Sequence, residues 1–243
     1  MTISVAHPFP QIIDEYFILN IKMMTTKFYI CDVFGNQRYS GNQLATFLDY
    51  GKLSTEEMQK IAREINFSES TFITHSKPRD NGYSVRIFTP ESEIGFAGHP
   101  SLGTAFIIRN FLEKSENMQI NLDYSIGKIP VRIEDDAYWM KQKQPQFGKE
   151  ISRTTMAKVI EIDETEFEAG YPILETTTGL PFTIVPLKNM RSLKKAKINP
   201  DEYSNFIQSS WAKGILVFSR EAYEKEQDLS VRVFVNYLGI PED

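Results

Sequence analysis

The sequence predicts an α/β (α+β) fold made of two similar halves. Runs rich in β-branched and aromatic residues alternate with stretches of helical periodicity, a pattern typical of mixed α/β proteins. One six-residue motif occurs twice, as YSVRIF at residues 83–88 and as LSVRVF at residues 229–234, and each copy follows a similar series of predicted elements. Residues 100–111 (PSLGTAFIIRNF) are apolar on nearly every side, which predicts a helix buried inside the protein.

The elements of the first half have clear local signals. Residues 27–34 (KFYICDVF) alternate and are rich in β formers, which predicts a strand. Residues 55–65 (TEEMQKIAREI) have an apolar stripe of helical period, and Ser54 with Glu57 forms a predicted capping box at the helix start. Further strands are predicted at residues 70–75 and 83–88.

We place residues 25–125 in the first half and residues 126–243 in the second. The second half is predicted to begin with a hairpin across Asp135 and Asp136. Residues 1–24 are expected to be a non-native or disordered leader, since Met23 and Met24 directly precede the first strand. A helix is predicted at 154–160, a strand at 180–186, a helix at 200–209 and a strand at 214–218.

Composition narrows the class of protein. With 243 residues, 41% hydrophobic and 24% charged, the chain has the composition of a soluble globular protein. A net charge of −5 argues against nucleic acid as a partner, and the basic run at 188–197 is interpreted as a solvated surface. Cys31 is the only cysteine, which fits a cytoplasmic location and predicts a buried, inert thiol. No apolar run approaches the ~20 residues of a membrane span, so no membrane partner is expected.

Glu69 is the first candidate for chemistry. It lies between a predicted helix and an apolar β run, where Phe67 and Phe72 could shield its carboxyl group from water. Such burial raises the pKa of a carboxyl group toward values useful for proton transfer. An ordinary surface glutamate is the alternative interpretation.

The second candidate is the segment Gly98-His99-Pro100 at the start of the buried helix. The N–H groups at a helix start favour a carboxylate, glycine allows close approach, and Pro100 suits the first helical position. His99 adds a group that titrates near neutral pH. Simple helix capping is the alternative interpretation.

Other kinds of site have weaker support. His7, His75 and His99 lack the spacing of metal ligands, so no metal is expected. The glycine-bearing residues 35–42 (GNQRYSGN) lack the lysine and hydroxyl of a phosphate loop, and no cofactor motif is visible. We therefore expect chemistry without a cofactor.

Together these residues resemble the PhzF-like family of phenazine biosynthesis, part of the diaminopimelate epimerase-like superfamily. The resemblance runs from about residue 27 to the C-terminus. Its motifs are DVF at 32–34 with Gly41-Asn42, ARE at 62–64 with NFSESTF at 66–72, VRIFTP at 85–90 with Glu93, and GHPSLG at 98–103.

The resemblance implies two halves, each a curved sheet around a central helix, with the active site in the cleft between them. It implies an isomerase that needs no cofactor and acts on a small carboxylate substrate, with Glu69 as the acid/base; a homodimer is a further expectation. It assigns substrate binding to Gly98, His99, Asp243, Ser68 and Asn42.

One family segment departs from the pattern. Glu242 and Asp243 match the start of a longer family motif, EDPxTGSA. We therefore expect a second half that lacks its central helix and final strands, and low activity of this chain alone. A binding protein that kept the cleft but lost the chemistry is the alternative function.

Overall fold

The computed structural model describes residues 26–35, 39–223 and 227–243. The first of its two sheets contains eight strands. They are β1 (Lys27–Val33), β2 (Asn42–Leu48), β3 (Glu69–Ile73), β4 (Tyr83–Phe88), β5 (Glu93–Ile94), β6 (Gln119–Tyr124), β7 (Gly127–Glu134) and β8 (Ala137–Met140). Their order is β1-β2-β3-β4-β6-β7-β8, with β5 paired to β4.

The second sheet contains five strands in the order β13-β12-β11-β10-β9. They are β9 (Gln146–Ile151), β10 (Ile173–Thr177), β11 (Pro181–Leu187), β12 (Gly214–Ser219) and β13 (Ser230–Phe234). The helices of this half are α3 (Arg153–Val159), α4 (Met190–Lys195) and α5 (Pro200–Ser209), with 3₁₀ turns at Glu164–Glu166 and Asn236–Leu238.

Two helices pack on opposite faces of the first sheet. Helix α1 (Thr55–Ile65) has the predicted capping box between Ser54 and Glu57 and packs Met58 and Ala62 on the outer face. Helix α2 (Gly98–Ile107) continues into a π-helical segment, Ile108–Glu113, and touches β1, β2, β3, β6, β7 and β8. The sheet therefore curls around α2, as the apolar sequence of this helix predicts.

The repeated motif corresponds to a repeated architecture. In the first half β1–β2, β2–β3 and β3–β4 pair antiparallel, parallel and antiparallel, and β10–β11, β11–β12 and β12–β13 do the same. The shared arginine also behaves alike, because Arg86 lies over Phe88 and Arg232 over Phe234. The prediction of two similar halves is confirmed at the level of strand order and pairing.

Two boundaries differ from the sequence-based expectation. Strand β7 pairs with β6 and β8 pairs with β7, so the first sheet extends through Met140 rather than ending near residue 126. Helix α2 begins at Gly98, which places Pro100 third rather than first, where its missing N–H still costs no helical hydrogen bond.

The predicted leader, residues 1–24, lies outside the described residues. Among the residues described, no helix combines the length and apolarity needed to span a membrane.

Gly41 sets the direction of the chain entering β2. Its φ is +82°, and a Cβ built there would lie 2.3 Å from the Val33 carbonyl oxygen. Gly170 has the same φ of +82°, but in the described part of the chain no atom lies within 4 Å of such a Cβ. Alanine substitutions at these two glycines therefore distinguish the cost of a left-handed backbone conformation from the cost of a steric clash.

We expect Gly41→Ala to lower the free energy of unfolding of the full chain by clearly more than Gly170→Ala. The latter pays only the left-handed backbone cost of roughly 1–2 kcal/mol, whereas the former must also displace backbone atoms. Urea unfolding of both variants beside the wild type measures the difference. Equal losses would contradict the steric argument.

Candidate active site

Glu69 is positioned by the end of α1 and the start of β3. Asn66 ends the helix in the left-handed conformation, with φ 56°, and reverses the chain toward the sheet. Glu69 then opens β3 in parallel register with Leu44 of β2. Only 6% of Glu69 is exposed, so the predicted desolvation of its carboxyl group is confirmed.

His99 lies in the first turn of α2 and is 8% exposed. The residue before the helix, Ala97, has no side chain that could cap it. The helix start therefore presents backbone N–H groups, and the positive end of its dipole, without a competing side-chain cap. This is the arrangement that favours a bound anion.

Asn42 and Asp243 reach the same place from distant parts of the chain. Asn42 opens β2, and its Nδ2 donates to Asp243 Oδ1 at 2.6 Å and lies 3.4 Å from His99 Nδ1. The backbone of Asp243 donates to Val233 at 2.9 Å, while Glu242 pairs with Arg232 through both carboxylate oxygens. The contact with Asn42 joins Asp243 to the first half, while the other two hold Glu242 and Asp243 against β13 of the second half.

The structure thus brings Glu69, His99, Asn42 and Asp243 into one cluster. His99 Nε2 lies 3.4 Å from Glu69 Oε2. Gly98 begins the helix beside them, and among the residues that the structure describes a Cβ built on it would meet only Met140 Cε, at 4.0 Å. Ser68 is half-buried in the bend just before Glu69.

Electrostatics in this cluster favour uncharged side chains. Burial raises the pKa of Glu69 to about 8, and the Asp243 carboxylate adds to the rise. Burial lowers the pKa of His99, and the attraction of Asp243 only partly opposes this effect. At neutral pH both groups are therefore mainly neutral, and Glu69 holds a proton that it can give away.

Two buried atoms of the cluster have no hydrogen-bond partner within the described ranges. They are Glu69 Oε2 and His99 Nε2, which face each other at 3.4 Å without hydrogen-bond alignment. Leaving such groups unpaired typically costs ~1–3 kcal/mol each. Polar atoms held in this way are available to a third group, such as a substrate.

The same side chains belong to residue types that can ligate a metal ion. Donor atoms of Glu69, His99 and Asp243 lie within 4.8 Å of one another. A histidine that ligates a metal usually donates its other ring N–H to a carboxylate, a carbonyl or water. Here the atom beside His99 Nδ1 is the amide nitrogen of Asn42. This surrounding favours proton transfer over metal binding.

Two further residues, Tyr237 beside the cluster and Phe96 just before α2, were missed by the sequence analysis. Tyr237 lies in the 3₁₀ turn before Asp243; burial raises the pKa of its phenol, and the Glu69 carboxylate adds to the rise. Phe96 packs against the turn between β10 and β11, since a Cβ on Gly179 would lie 3.1 Å from its ring. Their approach depends on how the two halves meet, for which no local pattern gives a signal.

Glu69→Gln tests the electrostatics through stability. The folded pKa of about 8 lies above the ordinary value of 4.5, so the native state binds more protons than the unfolded state between these values. The wild type therefore loses unfolding free energy as pH rises through this window, by up to ~1.4 kcal/mol per pH unit. The variant cannot titrate and should gain stability relative to the wild type as pH rises.

Urea unfolding at about pH 5, 6.5 and 8 measures this difference. Glu64→Gln makes the same substitution on the exposed side of α1, where no buried carboxyl group is removed, and serves as the control. A stability difference between Glu69→Gln and the wild type that stays constant across the three pH values would contradict the assigned environment of Glu69.

Comparison with curated proteins gives relatives over most of the chain. An uncharacterized isomerase of Clostridium acetobutylicum is 30% identical over 224 residues, covering 88% of this chain and 73% of that protein. The trans-2,3-dihydro-3-hydroxyanthranilate isomerase of Pseudomonas aeruginosa is 39% identical over 108 residues, which is 44% of this chain and 37% of that enzyme.

Solved structures show the same fold. The crystal structure of a Bacillus anthracis phenazine biosynthesis protein of the PhzF family superimposes with a TM-score of 0.79 at 27% identity, covering 90% of this chain and 76% of that one. A predicted epimerase from Pseudomonas aeruginosa gives a TM-score of 0.72 at 26% identity with the same coverage. The family model described as "Phenazine biosynthesis-like protein" (PhzC-PhzF) matches residues 31–243, and the chain therefore belongs to this family of isomerase-related proteins.

Proposed function

We propose that this protein is a PhzF-like, cofactor-independent isomerase that moves a proton between two carbons of a small carboxylate substrate, with Glu69 as the acid/base. The observation that carries the proposal is the buried carboxyl group of Glu69, whose pKa is about 8, facing His99 at the start of an internal helix. Its relatives are named isomerases, which supports the class of reaction.

The start of α2 is suited to hold the substrate carboxylate. Gly98 leaves open space in front of the helix, and Ala97 places no side chain over the N–H groups. Their partial positive charge compensates an anion that has left water. A substrate fixed in this way would place its carbon skeleton beside Glu69, so orientation contributes to the rate.

The proton shift needs one carboxyl group and no external reagent. Protonated Glu69 gives its proton to one end of a conjugated system, and a π electron pair forms the new C–H bond. The resulting carboxylate then removes a proton from the other end, and that C–H electron pair becomes the new double bond. Glu69 regains its proton and the product is an isomer of the substrate, so the composition balances.

The turnover prediction uses trans-2,3-dihydro-3-hydroxyanthranilate as the probe, because this compound is in the printed name of a relative. We expect Glu69→Gln to lose about 10²–10⁴ in turnover, the usual contribution of positioned proton transfer. Absorbance or proton NMR follows the double-bond shift, and Glu64→Gln should keep wild-type turnover. Turnover that survives in Glu69→Gln would refute the proposal, and wild-type binding without turnover would favour a binding protein.

The pH dependence of kcat/KM shows whether Glu69 first donates or first accepts a proton. Because the protonated form begins the cycle, kcat/KM should fall as pH rises through about 8, where Glu69 ionises. A profile measured on the same probe tests this order. A rise of kcat/KM through that pH would show that the ionised carboxylate acts first.

Gly98→Ala tests whether the substrate occupies the space before α2, and Gly103→Ala, a change within the core, is the comparison. An added Cβ at Gly98 meets nothing closer than 4.0 Å, whereas at Gly103 it would lie 2.6 Å from Leu44 and 2.8 Å from Val33. We expect Gly98→Ala to keep its stability but raise KM for the probe about tenfold, and Gly103→Ala to lower the melting temperature. Unchanged KM in Gly98→Ala would show that the substrate does not occupy the space before α2.

A further inference from the structure

We infer that Asn42 is a positioning residue that holds His99 in one neutral tautomer, with the proton on Nε2 and the lone pair on Nδ1. The inference rests on the proposed function, because the tautomer of His99 decides whether Glu69 or His99 can act as the base in that reaction. Its evidence is the chain of contacts that runs from Asp243 to Asn42, His99 and Glu69.

The chain of contacts begins with a group that can only accept. An ionised aspartate offers oxygen lone pairs and no hydrogen. Asn42 Nδ2 lies 2.6 Å from Asp243 Oδ1, so the NH₂ side of the amide must face Asp243. The opposite orientation would set the amide oxygen of Asn42 against a carboxylate oxygen. Asp243 therefore fixes which way the Asn42 amide points.

The same nitrogen also faces His99. Nδ2 carries two hydrogens, of which one is used by Asp243, and it lies 3.4 Å from His99 Nδ1. A proton on Nδ1 would place two donors against each other. Nδ1 is therefore the acceptor, and a neutral imidazole that accepts at Nδ1 carries its proton on Nε2.

The opposite side of the ring gives an independent argument. His99 Nε2 and Glu69 Oε2 are both buried, face each other at 3.4 Å, and have no hydrogen-bond partner among the described residues. A protonated Nε2 gives the pair a donor and an acceptor, which a small movement could align. If Nε2 carried no proton, the donor of this pair would have to be the carboxyl group of Glu69. Its proton would then lie on Oε2 and point toward His99, away from the substrate.

This tautomer divides the roles in the cluster. With a proton on Nε2, His99 can donate a hydrogen bond toward Glu69 Oε2 or a bound substrate, but it cannot take a proton from carbon. If the pair aligns, a hydrogen bond from Nε2 to Oε2 would leave Oε1 as the oxygen that carries the carboxyl proton. Glu69 is then the group that transfers protons, and His99 orients it.

Nitrogen NMR reads the tautomer directly and needs no substrate. The chain has three histidines, so two-bond ¹H–¹⁵N spectra of the full-length labelled protein are simple, and His99→Gln assigns the signals of His99. We expect the wild type to show a neutral ring protonated at Nε2. A ring protonated at Nδ1, or an averaged mixture of the two tautomers, would overturn the inference.

Asn42→Asp tests whether Asn42 sets the tautomer of His99. It keeps the shape of the side chain but replaces the donor with an acceptor, so Nδ1 of His99 should gain a proton in this variant. Asn121→Asp makes the same change at a half-buried position of β6 that contacts Gln119 and Asn81, and should leave the His99 signals unchanged. His75, whose Nδ1 contacts Thr74 Oγ1, is an internal reference.

If Asn42→Asp does not fold, Asp243→Asn replaces it. That variant frees the Asn42 amide to turn over, so the pure Nε2–H pattern should give way to a mixture. A His99 spectrum that stays at the wild-type pattern in the variants would overturn the role of Asn42.

These spectra report the position of a proton and do not depend on turnover, so the two proposals can fail separately. A protein that shows the expected tautomer but no isomerase activity would refute only the proposed function. A protein that is active but shows the other tautomer would refute only this inference.

Discussion

The site depends on one constraint: a carboxyl group is buried, and no cation among residues 26–35, 39–223 and 227–243 neutralises it. Glu69 is 6% exposed, and its charged neighbour is the carboxylate of Asp243. Ionising Glu69 in this place costs free energy, so the group keeps its proton until pH rises to about 8. The same surroundings that make the carboxyl group costly to ionise make it a proton donor at neutral pH.

The repeated architecture explains how that environment is assembled. In each half the arginine of the repeated motif binds a following glutamate through both oxygens, Arg86 with Glu93 and Arg232 with Glu242. Glu93 lies shortly before the start of α2, and Glu242 directly precedes Asp243. The two halves thus use the same kind of ion pair to hold the chain segments that lead to His99 and to Asp243, both of which contact Asn42.

Several features were predictable because their causes are local. The capping box of α1, the hairpin at Asp135 and Asp136, and helix α5 all follow from signals within a few residues. Strands β6, β9 and β10 were not predicted, since their partners are distant and their short runs have no distinctive pattern. The boundary between the sheets was placed too early for this reason, because the hairpin β7–β8 was recognised without the strand it joins.

The amino-acid sequence alone determined the α/β class, the two similar halves, the buried helix and the residue types of the site, because periodicity and motifs are written along the chain. Tertiary structure alone decided that Glu69, His99, Asn42 and Asp243 share one cluster. Asn42 and Asp243 are far apart in sequence, so their contact and the direction of its hydrogen bond exist only when the halves are packed together. The pKa values of the cluster follow from that packing, since burial and the distance between charges are properties of the folded molecule.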